Sequence, residues 1–234
     1  MMMRTIPSRL RRLTGALRRS ESGLAMTEFA LSLPILLTLG LVGMEVSGLM
    51  MAHLRVSNIA MMTADNASRV RDAIDEGDVY QLFMGATQAG ASIDFAQHGR
   101  IILYSVEPTP SGGFQWIRWQ RCTGSKAVAP TYGRPRTSGG TAITNGTEET
   151  TPSSPTAFTT NPHQMTAIGP AGNQIAAQSG TAVMFAEVFY DYQPIMAKDY
   201  LGAHTIHYVS AFNVRQRTNQ VLTNLGNITR ATCA

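Results

Sequence analysis

Cysteine is nearly missing from this 234-residue chain, which holds only Cys122 and Cys233. The two lie far apart, with no Cys-x-x-Cys pair and no His-Cys cluster, so the spacing of a zinc site is absent. Nucleophile motifs, a Walker A loop and a glycine-rich dinucleotide fingerprint are also missing. Five histidines (His53, His98, His163, His204 and His207) are scattered. His204 and His207 stand three apart in a strand-like stretch and so point to opposite faces, which excludes chelation of one metal. Trp116 and Trp119 have the same spacing and read as residues on opposite faces of a strand, packing within a sheet. These absences describe a non-enzymatic protein without cofactor or metal ligands.

A basic surface on the folded body is lacking too. The formal charge of +4 and the high pI come from the leader. Residues 1–23 hold six arginines (Arg4, Arg9, Arg11, Arg12, Arg18 and Arg19) against Glu21, and the rest of the chain is close to neutral. Nucleic-acid binding calls for basic residues on the body, and that pattern does not occur. A basic flank beside an apolar run instead follows the positive-inside rule, which puts residues 1–23 in the cytoplasm.

The apolar run opens at Gly23 and continues to about Met51, with Glu28 and Glu45 its only charges. That is too long for a secretory signal core and long enough to span a bilayer. Residues 24–51 read as a transmembrane helix, single-pass, with everything beyond residue 52 on the outer side. Pro34 falls inside the run, where a membrane helix tolerates it. Gly43/Ser47 and Gly48/Ala52 are small-xxx-small pairs that permit close helix approach, although small residues are also common in membrane helices. A carboxylate one turn inside such a helix is costly and marks a functional residue. Near the headgroups beside Arg18 and Arg19, Glu28 would instead simply anchor the helix.

Past the bilayer, Val56, Ile59, Ala60, Ala67, Val70 and Ile74 keep helical spacing, with Asp65/Arg69 and Arg71/Asp75 four apart. The spacing predicts an amphipathic extension over 52–77, stopped by Gly77; the alternative is a separate surface helix joined by a bend. Asp78 is the expected cap of a second helix, with Val79, Leu82, Phe83, Ala86 and Ala89 on one face and Gly90 at its end. Arg100–Glu107 and Phe114–Arg121 read as a hairpin around a Pro/Gly turn. Thr181–Tyr192 and residues 204–214 read as two further strands. In the first, Val183, Phe185 and Phe189 share one face and Met184, Val188, Tyr190 and Tyr192 the other. In the second, Ile206, Tyr208, Phe212 and Val214 share a side. Residues 123–180, rich in Thr, Ser, Gly and Pro, read as an irregular insertion that offers a contact surface. The fold class is α+β: a long N-terminal transmembrane and amphipathic helix, then a small domain (78–234) with at least one further helix and an antiparallel sheet of about four strands.

In an oxidising compartment Cys122 and Cys233 read as one disulfide, worth about 4–5 kcal/mol in the chain-entropy model for a loop of that length. Two independent buried thiols are the alternative.

Three stretches carry a family resemblance. The first is the Arg-rich leader followed by Ser22-Gly23-Leu24-Ala25-Met26-Thr27-Glu28-Phe29-Ala30-Leu31 and Leu33-Pro34-Ile35-Leu36-Leu37. The others are Val188-Phe189-Tyr190-Asp191-Tyr192-Gln193-Pro194 and Tyr208–Arg217. Together they resemble the TadE/TadG-like minor pseudopilins of the tight-adherence (Tad, or Flp) pilus system, with Thr27 where valine is commoner. The resemblance implies cleavage between Gly23 and Leu24 by a prepilin peptidase at the cytoplasmic face. It implies that Glu28, with Phe29 beside it, serves helix recognition and assembly by meeting the N-terminal ammonium of a neighbouring subunit. The implied partners are the peptidase, other pilin and pseudopilin subunits, the Tad inner-membrane machinery and the lipid bilayer. The implied location is a bacterial inner membrane with the C-terminal domain in the periplasm, or incorporation into a surface pilus. The competing reading is an uncleaved, membrane-tethered periplasmic binding or scaffold protein.

Overall fold

The computed structural model describes residues 21–109, 113–137, 140–148, 165–195 and 204–233, with residues 21 and 22 described by their backbone alone. The leader through Ser20, Pro110 to Gly112 of the expected turn, His163 and parts of the insertion lie outside the described residues. The chain divides into two compact units, Met1–Gly48 and Leu49–Ala234.

In the first unit the element is helix α1 (Glu21–Arg69), which belongs to this unit up to Gly48 and to the second from Leu49. Its side chains from Gly23 to Met44 are all exposed, and Glu45 is buried. Hydroxyls on this stretch turn back to carbonyls of the preceding turn: Thr27 Oγ1 donates to Leu24 O (2.7 Å), Thr38 Oγ1 to Ile35 O (2.9 Å) and Ser47 Oγ to Gly43 O (2.8 Å). Polar groups closed on their own helix suit a medium without water. Pro34 withholds the N–H that would bond Ala30 O, yet the helix runs on through it. One apolar helix of this length is able to cross a membrane and suggests an anchor.

In the second unit, Ala52, Val56, Ile59, Ala60, Ala64 and Ala67 form one buried stripe of α1. Asp65 and Arg69 pair at 2.7 Å, the expected four-residue contact. The helix then stops at Arg69, short of the expected end near Gly77. Asp72 takes a left-handed conformation (φ 59°), and Ile74–Asp75 forms a short strand, β1, parallel to β6 (Leu222–Thr223). Arg71 and Asp75 therefore never share a helical face.

The reason lies in the next helix, α2 (Glu76–Ala89). Asp75, not Asp78, is its N-cap. The Asp75 carboxylate accepts from Gly77 N–H at 2.9 Å, and the Asp78 carboxylate accepts in return from Asp75 N–H at 2.9 Å. This capping box places Gly77 in the first turn of α2 rather than at the end of α1. Val79, Phe83 and Ala86 are buried, with Leu82 and Ala89 partly so. Gly90 ends α2 because of space: a Cβ there would lie 2.4 Å from Phe95 Cβ. A single 3-10 turn (Ala91–Ile93) and the short helix α3 (Phe95–His98) lead into the sheet.

The sheet comprises β2 (Gly99–Pro108), β3 (Gln115–Thr123), β4 (Val183–Asp191) and β5 (Thr205–Asn213), in the order β3-β2-β4-β5, every pair antiparallel. One face packs on α1 and α2 through Ile101, Leu103, Trp119, Met184, Val188 and Ile206. The other face carries Ile102, Tyr104, Val106, Ile117, Phe185 and Phe189. That second face is roofed by the insertion, whose Ile168 and Ala177 are buried and whose Val128, Tyr132, Met165 and Ile175 pack against it. The insertion is irregular, as expected, but its described parts close a second core.

The two tryptophans correct the face assignment. Trp119 lies opposite Ser105 and Ile117 opposite Val106, so Arg118 is an extra residue in β3. Trp116 lies opposite Glu107, two residues beyond Ser105, and therefore shares a face with Trp119. A bulge shifts the two-residue alternation by one position, which simple counting misses.

Candidate functional site

The sequence points first to Gly23, Leu24, Glu28 and Phe29, and the structure places them in the opening turns of α1. Glu28 stands four residues after Leu24, on the same helical face one turn further along. Its side chain is exposed, and among the described residues no hydrogen bond or ion pair meets it. Leu24 and Phe29 are likewise exposed, at 63% and 59%. A Cβ on Gly23 would touch nothing within 4 Å, so the fold itself makes no demand for glycine there. Any such demand comes from a molecule that grips this turn. Glycine weakens a helical turn, which makes local unwinding at the Gly23–Leu24 peptide less costly.

Cys122 and Cys233 form a disulfide in the structure, with Cα atoms 5.0 Å apart. The bond ties the C-terminal segment to the end of β3, where Cys122 N–H also donates to Ala231 O (2.9 Å) and Arg134 donates to Cys233 O. Both sulfur-bearing residues are buried.

Sequence reasoning missed the buried charges of the sheet domain. Arg121, 2% exposed, forks onto the Glu76 carboxylate through Nε (2.9 and 3.0 Å) and a terminal nitrogen, and donates also to Gly146 O (2.7 Å). Arg118 lies between Glu107 and Glu148, each at 3.2 Å. Glu187 accepts from Tyr104 Oη (2.6 Å) and Thr131 N–H (3.2 Å), with His207 Nε2 at 3.1 Å. Burial alone would raise the Glu187 carboxyl; the bonds from His207, Thr131 and Tyr104 outweigh it and hold it below the ordinary range. The Tyr104 phenol is pushed up by burial and by the Glu187 charge beside it. Arg217, donating to Gln220 Oε1 (2.9 Å) and Ala67 O (3.3 Å), is pushed down to about 10 by burial. A signal was present in the sequence: arginines within an otherwise buried strand such as Trp-Ile-Arg-Trp-Gln-Arg require partners.

Two open hollows occur in the second unit. One, about 260 Å³, lies between α1 and α2 and is lined by Met62, Asn66, Asp78 and Leu82. The other, about 280 Å³, is lined by Tyr80, Phe83, Met84 and Arg230. No group of three metal-ligating side chains occurs among the described residues.

The local geometry therefore concentrates on the exposed apolar helix with its single unmet carboxylate. Residues 23–65 match the family model described as TadE-like protein. The match opens on Gly23 and takes in Glu28, the apolar run and the buried stripe of α1 up to Asp65. The sheet, and the resemblances at Val188–Pro194 and Tyr208–Arg217, lie beyond it. The family is a structural, pilus-associated one. No curated protein and no solved structure matches the chain. Over residues 23–65 the chain is similar to the TadE-like family of the Tad pilus system.

Proposed function

We propose that the protein is a minor pseudopilin: a membrane-anchored structural subunit that aids assembly of a Tad adhesive pilus. Residues 1–23 serve as a cytoplasmic leader, removed by a prepilin peptidase between Gly23 and Leu24. Residues 24–51 cross the inner membrane. The sheet domain lies in the periplasm, where a disulfide is at home.

The observation that carries this reading is Glu28, an exposed carboxylate inside an exposed apolar helix of a TadE-like segment. A charged side chain costs about 2.5–3.5 kcal/mol at the centre of a membrane helix by insertion scales, and less one turn inside its end, where Glu28 stands. Cleavage after Gly23 creates an ammonium on Leu24. The ammonium of a neighbouring subunit offsets the Glu28 charge, so the pair favours assembly over the lone subunit.

N-terminal sequencing of the membrane or pilus form tests the route. Leu24 as first residue is expected, together with loss of sheared pili in Glu28→Gln. An intact leader, with pili unaffected by Glu28→Gln, overturns it and leaves a tethered periplasmic module.

A further inference from the structure

The two edges of the four-stranded sheet are finished differently. At β3 outward backbone groups are taken up at both ends of the strand. Gln115 and Met165 exchange N–H···O bonds (2.6 and 3.3 Å), and Cys122 N–H donates to Ala231 O (2.9 Å). The strand is bulged at Arg118, and the disulfide fastens the covering segment. Bulges, charges and covering segments are the usual protections of a sheet edge.

β5 has none of them. Its pairing with β4 decides which of its groups point outward. Tyr192 N–H donates to His204 O and Val214 N–H to Ala182 O, both at positions that continue the β4–β5 register. Even-numbered residues thus bond to β4. By antiparallel alternation the N–H and C=O groups of Thr205, His207, Val209, Ala211 and Asn213 face away from the sheet. Among the described residues none of these groups meets a backbone partner. Thr205–Asn213 contains no Asp, Glu, Lys, Arg or Pro and pairs with β4 without a bulge. Val209 and Ala211 are partly exposed, and the His207 ring is stacked on Phe189 (4.3 Å between centroids).

We propose that β5 accepts one further strand, and that this strand is β5 of a second copy, running antiparallel and centred on Val209. The outward groups are symmetric about that residue. Val209 would face Val209 of the second copy, with His207 facing Ala211 and Thr205 facing Asn213 as hydrogen-bonded pairs. Between them Tyr208 would face Ser210, and Ile206 would face Phe212. Every outward group gains a partner and no like charges meet, the condition for a self-complementary two-fold contact. Addition of β5 to the β3 edge of another copy is obstructed, because Met165 and Ala231 already hold the two ends of that bulged edge. The pairing does not depend on whether the leader is cleaved, so its failure and that of the pseudopilin reading are separate results.

Cysteine crosslinking of the full chain in detergent micelles tests it. Facing Cα atoms in a hydrogen-bonded antiparallel pair lie about 5.5 Å apart, within disulfide reach. Val209→Cys, oxidised with copper phenanthroline, is expected to give a homodimer in about ten-fold excess over Ala211→Cys, whose two copies are offset by about four residues. Adding Ala211→Pro to Val209→Cys removes one outward N–H without touching the β4–β5 bonds. It is expected to abolish the crosslink while peptide mapping still finds Cys122 bonded to Cys233. A monomeric Val209→Cys, equal crosslinking at both positions, or a crosslink only to a chain of different mass overturns the proposal.

Discussion

The opening of α1 and the sheet domain treat charge in opposite ways. Between Gly23 and Met44 the one acidic side chain, Glu28, is exposed among exposed leucines, with no partner among the described residues. In the sheet domain Arg121, Arg118, Glu76 and Glu187 are buried and each is met by a charged or hydrogen-bonding neighbour within the chain. A buried charge is tolerable only when paired and bonded. These buried charges are therefore met within the second unit, whereas under the proposed function Glu28 in the first is met by another molecule within a bilayer. That difference separates residues that hold the fold from residues to which we assign delivery and assembly.

The largest expected effect within the sheet domain comes from its covalent tie. Cys122→Ser opens a loop with a sequence separation of 111. The chain-entropy model sets the loss at about 4–5 kcal/mol for a loop of this size. In urea unfolding of the full chain in micelles, the midpoint should fall sharply. Wild type should also migrate differently on gels with and without reductant. Equal midpoints and equal mobility would mean that the two cysteines do not pair.

Next comes the ion pair. Arg121→Met leaves Glu76 buried without its fork, and Arg230, 3.7 Å away and partly exposed, does not replace it. Removing one partner of a buried pair costs about 3–5 kcal/mol. Glu28→Gln, which touches no intramolecular partner, should leave the same midpoint unchanged. If both variants shift it equally, the contrast between the two regions fails.

The smallest effect is a pH dependence. The folded-state carboxyl of Glu187 is held below its ordinary value. It therefore contributes stability above its unfolded value, about 4.3, and loses that contribution as pH falls through the folded value. Urea midpoints of wild type should drop more steeply than those of Glu187→Gln on acidification below about pH 4.5. Parallel curves would remove Glu187 from the account.

Much of the sheet was legible because β2, β4 and β5 alternate cleanly: Met184, Val188 and Tyr190 face the helices, and Val183, Phe185 and Phe189 face away. Alternation failed at β3, since the extra Arg118 reverses the count between Ile117 and Trp119. The end of α1 was misread for a related reason. Gly77 has the composition of a helix stop, but the carboxylates of Asp75 and Asp78 made it the start of α2. The sheet edges were not legible, because openness depends on Met165 and Ala231 returning to β3 while none of the described residues pairs with the outer side of β5.

By itself the sequence determined the long apolar helix and the segment to which we assign assembly. Hydrophobic length, a basic flank and the Gly23/Glu28 spacing are local properties, and Glu28 matters because of the medium around it. It determined also the strands and, outside the bulged β3, their faces, because periodicity is local. Only the tertiary structure decided that Glu76 finds Arg121, that Glu187 gathers Tyr104, Thr131 and His207, that the insertion roofs a second core, and that β5 keeps its outer hydrogen bonds unmade. Those outcomes join residues tens of positions apart, and they are set by which groups the packed chain leaves in need of a partner.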